Sequence, residues 1–149
     1  EIELRTLETN GTGFVRMVTA AFRYFAQQKG GHLAVISSIA GTKGLGAAPA
    51  YSATKRFQNT YIDALEQLAH IQKLSIRFTD IRPGFVATGL LNDGKHYPML
   101  MHTEKVARHI VHALEKKKRI VVIDWRYRIL VALWRLIPPF LWKRMTVRN

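Results

Sequence analysis

The 149-residue chain predicts an α/β fold, part of a doubly wound parallel sheet followed by a helical tail. Three observations predict it. Segments of helical and strand character alternate through residues 1–124. Each strand candidate is a short apolar run bounded by Gly, Pro or charge, as expected of strands covered on both faces. Residues 125–149 depart from that pattern and mix tryptophan with arginine and lysine.

The elements follow in order. Residues 3–28 predict one helix ending before Gly30-Gly31, with Phe14, Val18, Ala21, Phe22 and Phe25 on one face. His32 to Ser38 is a buried strand. Ile39 to Ala50, with Gly41, Gly44, Gly46 and Pro49, is a loop of small residues. Residues 51–72 predict a second helix, with Phe57, Tyr61, Leu65, Leu68 and Ile71 as its apolar stripe. Ser75 to Ile81 is a second strand, stopped by Arg82-Pro83-Gly84. Residues 85–102 read as irregular, with room for a short helix. Thr103 caps a third helix over 104–116, which carries Val106, Ile110, Val111 and Leu114. Arg119 to Asp124 is the third strand. Three strands leave an open edge and make a poor sheet alone. The chain also begins without Met, so part of the fold is expected upstream. Residues 1–124 form one unit, on which the tail 125–149 packs.

Composition narrows the function. The apolar fraction is 48%, which excludes disorder by composition, and there is no cysteine, which excludes disulfides and thiolate chemistry. Glu1 to Arg5 is charged, unlike a signal peptide. The expected location is cytoplasmic, with attachment at a membrane surface open through the tail. The six histidines form no ligand spacing, and no metal is expected. Lys and Arg outnumber Asp and Glu 23 to 10, for a net charge of +13. Residues 116–149 hold ten of those cations against one acid, Asp124. The tail suits a lid over an apolar pocket, a subunit contact or a membrane interface. It is too apolar for nucleic acid to lead, so none is expected.

The chemistry centres on the carboxyl ends of the strands, where parallel sheets bind ligands. Tyr51 and Lys55 lie four apart on one helix face. A tyrosine titrates near 10, and a neighbouring ammonium and a helix N-terminus both stabilise its phenolate. Such a pair can exchange a proton with a hydroxyl or carbonyl. Ser38, at the first strand's end, can bond the same oxygen. The same spacing also fits a Tyr packed on a Lys stem.

The company of these residues decides more than their spacing. Val35-Ile-Ser-Ser-Ile-Ala-Gly41, Tyr51-Ser-Ala-Thr-Lys55 and Arg82-Pro-Gly-Phe-Val-Ala-Thr88 stand in one order. Together they resemble the short-chain dehydrogenase/reductase family, over roughly residues 1–124, in its C-terminal catalytic portion. The resemblance implies a Rossmann-like fold and NAD or NADP as cofactor, with NADP slightly favoured. It implies Tyr51 as general acid/base, Lys55 lowering its pKa and holding the nicotinamide ribose, and Ser38 polarising the substrate oxygen. Asn10 matches the family's helix asparagine and would hold a water in a relay with Lys55. Pro83, Gly84, Val86 and Thr88 would line the nicotinamide. The family's Gly-rich turn and Asn-Asn-Ala-Gly segment are not seen. Gly11-Thr-Gly13 lies in a helix with Arg16 in place of a third Gly, and Gly41 to Gly46 has the wrong spacing. The implied function is alcohol–carbonyl interconversion by a homo-oligomer. Phe85, Leu90, Leu91, Met99 and Leu100 point to a lipophilic substrate. The rivals are a nucleotide-sugar epimerase or dehydratase, and a non-catalytic membrane- or protein-interaction module on the same fold.

Overall fold

A computed structural model describes residues 1–91, 94 and 96–147. The Leu90 side chain and Arg148, both used in the sequence reading, lie outside the described residues. Helix α1 (Ile2–Leu7) runs through a π-helical stretch (Glu8–Gly13) into α2 (Phe14–Gln27). Strand β1 (Gly30–Ile36) leads to a 3-10 turn (Ile39–Thr42) and the long helix α3 (Pro49–Ile71). Strand β2 (Ser75–Arg82) is followed by a short 3-10 turn (Gly89–Leu91), α4 (Thr103–Glu115) and β3 (Ile120–Val122). The tail forms α5 (Trp125–Leu136) and α6 (Pro139–Trp142), broken where Pro138-Pro139 predicts.

Among the described residues the sheet runs β1-β2-β3, all parallel, with Gly30 opposite Ser75 and Asp80 opposite Ile120. Alternation along the strands divides two cores. Leu33, Val35, Ile76 and Phe78 meet Val18, Phe22, Ile62 and Ala69 of α2 and α3. On the other face Ile81, Val121 and Ile123 meet Val106, Ala113, Tyr127 and Val131 of α4 and α5. The predicted α/β fold with its alternating elements is therefore the observed one, and both faces of the sheet are covered.

Four details differ from the expectation. The first helix is not uniformly α-helical, because the π turn falls across Glu8–Gly13, where two glycines weaken the regular ladder. The expected stripe of α3 is only partly inward. Ile71 is 67% exposed and Phe57 42%, while Thr54, Gln58 and Asn59 are buried. Polar side chains with fixed partners take that face near the site. Thr103 is the first residue of α4; His102 occupies the cap position without a side-chain bond. The third strand is shorter than expected, because Asp124 turns out of it at φ 72 to cap α5.

Three helix-to-strand junctions share one device. Lys29, Lys73 and Lys117, just past α2, α3 and α4, all take the left-handed conformation at φ 56, 55 and 48. Their N–H groups donate to Ala26, His70 and Leu114 carbonyls at 3.0 Å each, satisfying helix-end acceptors. A cation at that end also opposes the helix dipole.

Asp124 is buried and accepts from the Arg126 backbone N–H and guanidinium at 3.0 and 2.9 Å, with Lys105 at 3.4 Å. The Arg126 hydrogen bond in first place, then Lys105, holds its carboxyl well below the usual carboxylate range. A depressed folded pKa gives stability that is present above the unfolded value, near 4, and is lost below it. Asp124→Asn keeps the cap and tolerates the positive φ. It should therefore lower stability by about 1–3 kcal/mol near neutral pH. That difference should shrink as pH falls below about 4, as urea unfolding across pH would measure.

Candidate active site

β1 ends at Ile36, and Ser37 and Ser38 continue its line to the carboxyl edge of the sheet. Ser38 caps the 3-10 turn: its hydroxyl accepts from the Ala40 N–H at 3.1 Å and donates to the Pro83 carbonyl at 3.4 Å. The Ile39 N–H donates to the same carbonyl at 3.2 Å. The ends of β1 and β2 are thus joined at Ser38 and Pro83.

α3 starts beside them. Pro49 occupies its first turn, and Glu3 of α1 accepts from the Ala50 N–H at 2.7 Å, a cap supplied from another helix. The first turn of α3 carries Tyr51 and the second Lys55. The Lys55 Nζ lies 5.6 Å from the Tyr51 ring centre and donates to the Ile36 carbonyl at 3.3 Å. Burial lowers the Lys55 pKa, and the Asp80 charge opposes that shift. Gly41 lets the 3-10 turn approach this helix: an added Cβ would sit 2.8 Å from the Lys55 carbonyl and the Asn59 amide.

Beneath these groups lies a buried ionic network that the sequence reading missed. Asp80 is fully buried on the α3 face of β2. Ser37 donates to its Oδ1, and Arg82 donates to its Oδ2 through Nε at 2.8 Å and Nη2 at 2.6 Å. The Asn59 orientation that satisfies the network turns its amide nitrogen inward, 3.2 Å from Asp80 Oδ2, 3.0 Å from Ser37 Oγ and 3.1 Å from the Lys55 carbonyl. The available signal was an Asp inside an otherwise apolar strand, with Arg two residues on and so on the same face.

Asn10 lies in the π stretch and meets α3 on either side of Lys55. Its amide donates to Thr54 Oγ1 at 3.3 Å, and its carbonyl accepts from Gln58 Nε2 at 2.9 Å. The structure thus sets Asn10 against the two neighbours of Lys55's turn.

Pro83 and Gly84 follow β2. Gly84 has a packing reason to be glycine, since a Cβ there would lie 2.3 Å from the Tyr127 ring. Tyr127 is 1% exposed; its hydroxyl accepts from the Phe85 N–H at 3.1 Å and donates to the Pro98 carbonyl at 3.0 Å. Val86 bridges Met101 and packs into the core, whereas Thr88 is exposed. The tail also holds the loop before α3. Trp134 donates to Thr42 Oγ1 at 2.9 Å, Trp142 to the Gly44 carbonyl at 2.7 Å, and Lys43 to the Ile137 carbonyl at 2.7 Å. An open depression of about 580 Å³ lies along that loop, lined by residues such as Gly44, Leu45, Ser52 and Arg56.

The family model described as short chain dehydrogenase matches residues 3–97. The chain belongs to the short-chain dehydrogenase family. Dehydrogenase/reductase SDR family member 7B of Bos taurus is 32% identical, over 97% of this chain and 48% of its own length. An uncharacterized oxidoreductase of Myxococcus xanthus is 29% identical, over 89% of this chain and 52% of its own. A short chain dehydrogenase from Burkholderia cenocepacia, solved in complex with NADP, shares the fold. It superposes with a TM-score of 0.75 at 17% identity, over 95% of this chain and 58% of that one. The chain spans about half the length of the curated relatives it matches. Relatives of this dehydrogenase-family chain are named as oxidoreductases, and its candidate site residues lie at the carboxyl edge of the sheet.

Among the described residues, removing Asp80 would leave Arg82 without a carboxylate partner, with a side chain that is only 11% exposed. Asp80→Ala should cost about 3–5 kcal/mol in denaturant unfolding. Asp80→Leu combined with Arg82→Met should recover much of that loss.

Proposed function

We propose that this chain carries the catalytic centre of an NAD(P)-dependent oxidoreductase that interconverts an alcohol with a ketone or aldehyde. One observation carries the reading: a half-buried lysine ammonium held at a strand end, against the ring of Tyr51, in a chain of this family. In the oxidation direction the substrate hydroxyl gives its proton to the Tyr51 phenolate. A nicotinamide cofactor, when bound, would supply the redox chemistry by accepting the hydride from the carbon that bears that oxygen. Reduction runs the same transfers backwards. Lys55 stabilises the phenolate, and Ser38 orients the substrate oxygen.

The residues present fit the nicotinamide end of such a cofactor. Among the described residues Lys55 has one carbonyl partner, so further N–H donors remain for a ribose diol. Pro83, Gly84, Val86 and Thr88 would line the ring side, and Asn10 would hold a relay water near Lys55. NADP is favoured over NAD, supported by the NADP bound to the Burkholderia cenocepacia dehydrogenase. A lipophilic carbonyl substrate is supported by Phe85, Met99 and Leu100 in the loop that Tyr127 holds. Self-association is supported by apolar side chains on the outer faces of α2, where Met17 is 75% and Tyr24 58% exposed, and of α3, where Ile71 is 67% exposed.

The test is Tyr51→Phe in the full-length protein, assayed with NADPH and a panel of lipophilic ketones. Turnover should fall by at least about 10²–10⁴-fold, with circular dichroism and NADPH binding unchanged. Full activity in that variant would sink the assignment.

A further inference from the structure

We propose that the outer face of the tail docks on an anionic lipid surface. The inner face of α5 is spent on the protein: Tyr127 and Val131 are buried, and Trp134 is tied to Thr42. The outer face is apolar as well. Trp125 is 66% exposed, Ile129 51%, Leu133 60% and Leu136 79%. At 100° per residue these four fall within an arc of about 80°, nearly opposite the buried face. Phe140 and Met145, 63% and 49% exposed, extend the apolar surface past the proline break. A helix that buries one apolar face and presents a second has more apolar surface than the protein itself covers.

Charge selects the occupant. Arg128, Arg135, Lys143 and Arg144 are exposed in the same segment, and residues 125–147 contain no Asp or Glu. The one acid at its start, Asp124, is buried and already paired with Arg126 and Lys105. A twofold contact with a second copy would set these cations against their own kind with no local acid to answer them. Anionic headgroups answer them, and the apolar arc enters the acyl boundary. Among the described residues no helix is long and apolar enough to cross a membrane, so the fitting mode is one lying in the interface.

The experiment is cosedimentation of the full-length protein with phosphatidylcholine vesicles, with and without phosphatidylserine. The protein should pellet with the serine-containing vesicles. Pelleting should weaken with added salt and fall at least about ten-fold on pure phosphatidylcholine. Arg135→Ala and Lys143→Ala should each cost about five-fold in partition. Leu133→Glu with Leu136→Glu, both at exposed positions, should abolish pelleting while leaving circular dichroism unchanged. The proposal is overturned if the native protein fails to pellet with anionic vesicles, or if the double Glu variant pellets equally well. A dimer that this variant dissociates, in a protein that ignores vesicles, would likewise overturn it and make the face a contact between copies.

Discussion

A carboxylate with no access to water sits at the centre of this molecule. Asp80 is fully buried, and a bare charge there would be prohibitively unfavourable. Its partners are therefore fixed in number and direction. They come from the end of β1 through Ser37, from β2 itself through Arg82, and from α3 through Asn59. Each is one step from a candidate site residue. Ser37 precedes Ser38, Arg82 precedes Pro83, and Asn59 bonds the carbonyl of Lys55. The register of three elements is thus set by the need to satisfy one anion, and the site inherits that register.

The tail performs the corresponding task from outside. Loops have fewer internal bonds to hold them than helices and strands do. Tyr127 inserts under the loop after β2 with its hydroxyl bonded on both sides, which is why Gly84 can carry no side chain. Trp134, Trp142 and the Lys43 contact grip residues 42–44 of the other loop. The indoles that make the tail look like a membrane segment in the sequence are mostly turned inward. Trp125 is the one left out, with the apolar arc beside it.

The alternation of elements was legible because burial of a parallel sheet on both faces forces periodic apolar runs. Ser38, Tyr51 and Lys55 stand out in the sequence by their company, since the spacing of Tyr51 and Lys55 alone fits a packed pair equally well. Other features have no apolar signature. The inward face of α3 near the site is Thr54, Gln58 and Asn59, so the hydrophobic stripe indicated the wrong face there. The left-handed helix ends carry lysine where glycine would have announced them. The packing of Asn10 against α3, through Thr54 and Gln58, is not encoded in the local sequence. Glu3 capping α3 is a contact between residues 47 positions apart and is equally silent in the sequence.

Stability and chemistry meet in one charge. Burial pushes the Lys55 ammonium toward its neutral form, and Asp80 pulls it back. A neutral lysine would do little to stabilise a phenolate on Tyr51, whereas a fully solvated one would spread its field into water. The proposed role of Lys55 would need an ammonium that is partly buried yet charged, and the Asp80 charge works in that direction. Asp80, itself paired with Arg82, acts on Lys55 through its charge. The same residues that join β1, β2 and α3 thus also bear on the charge of Lys55, the residue proposed to act on Tyr51.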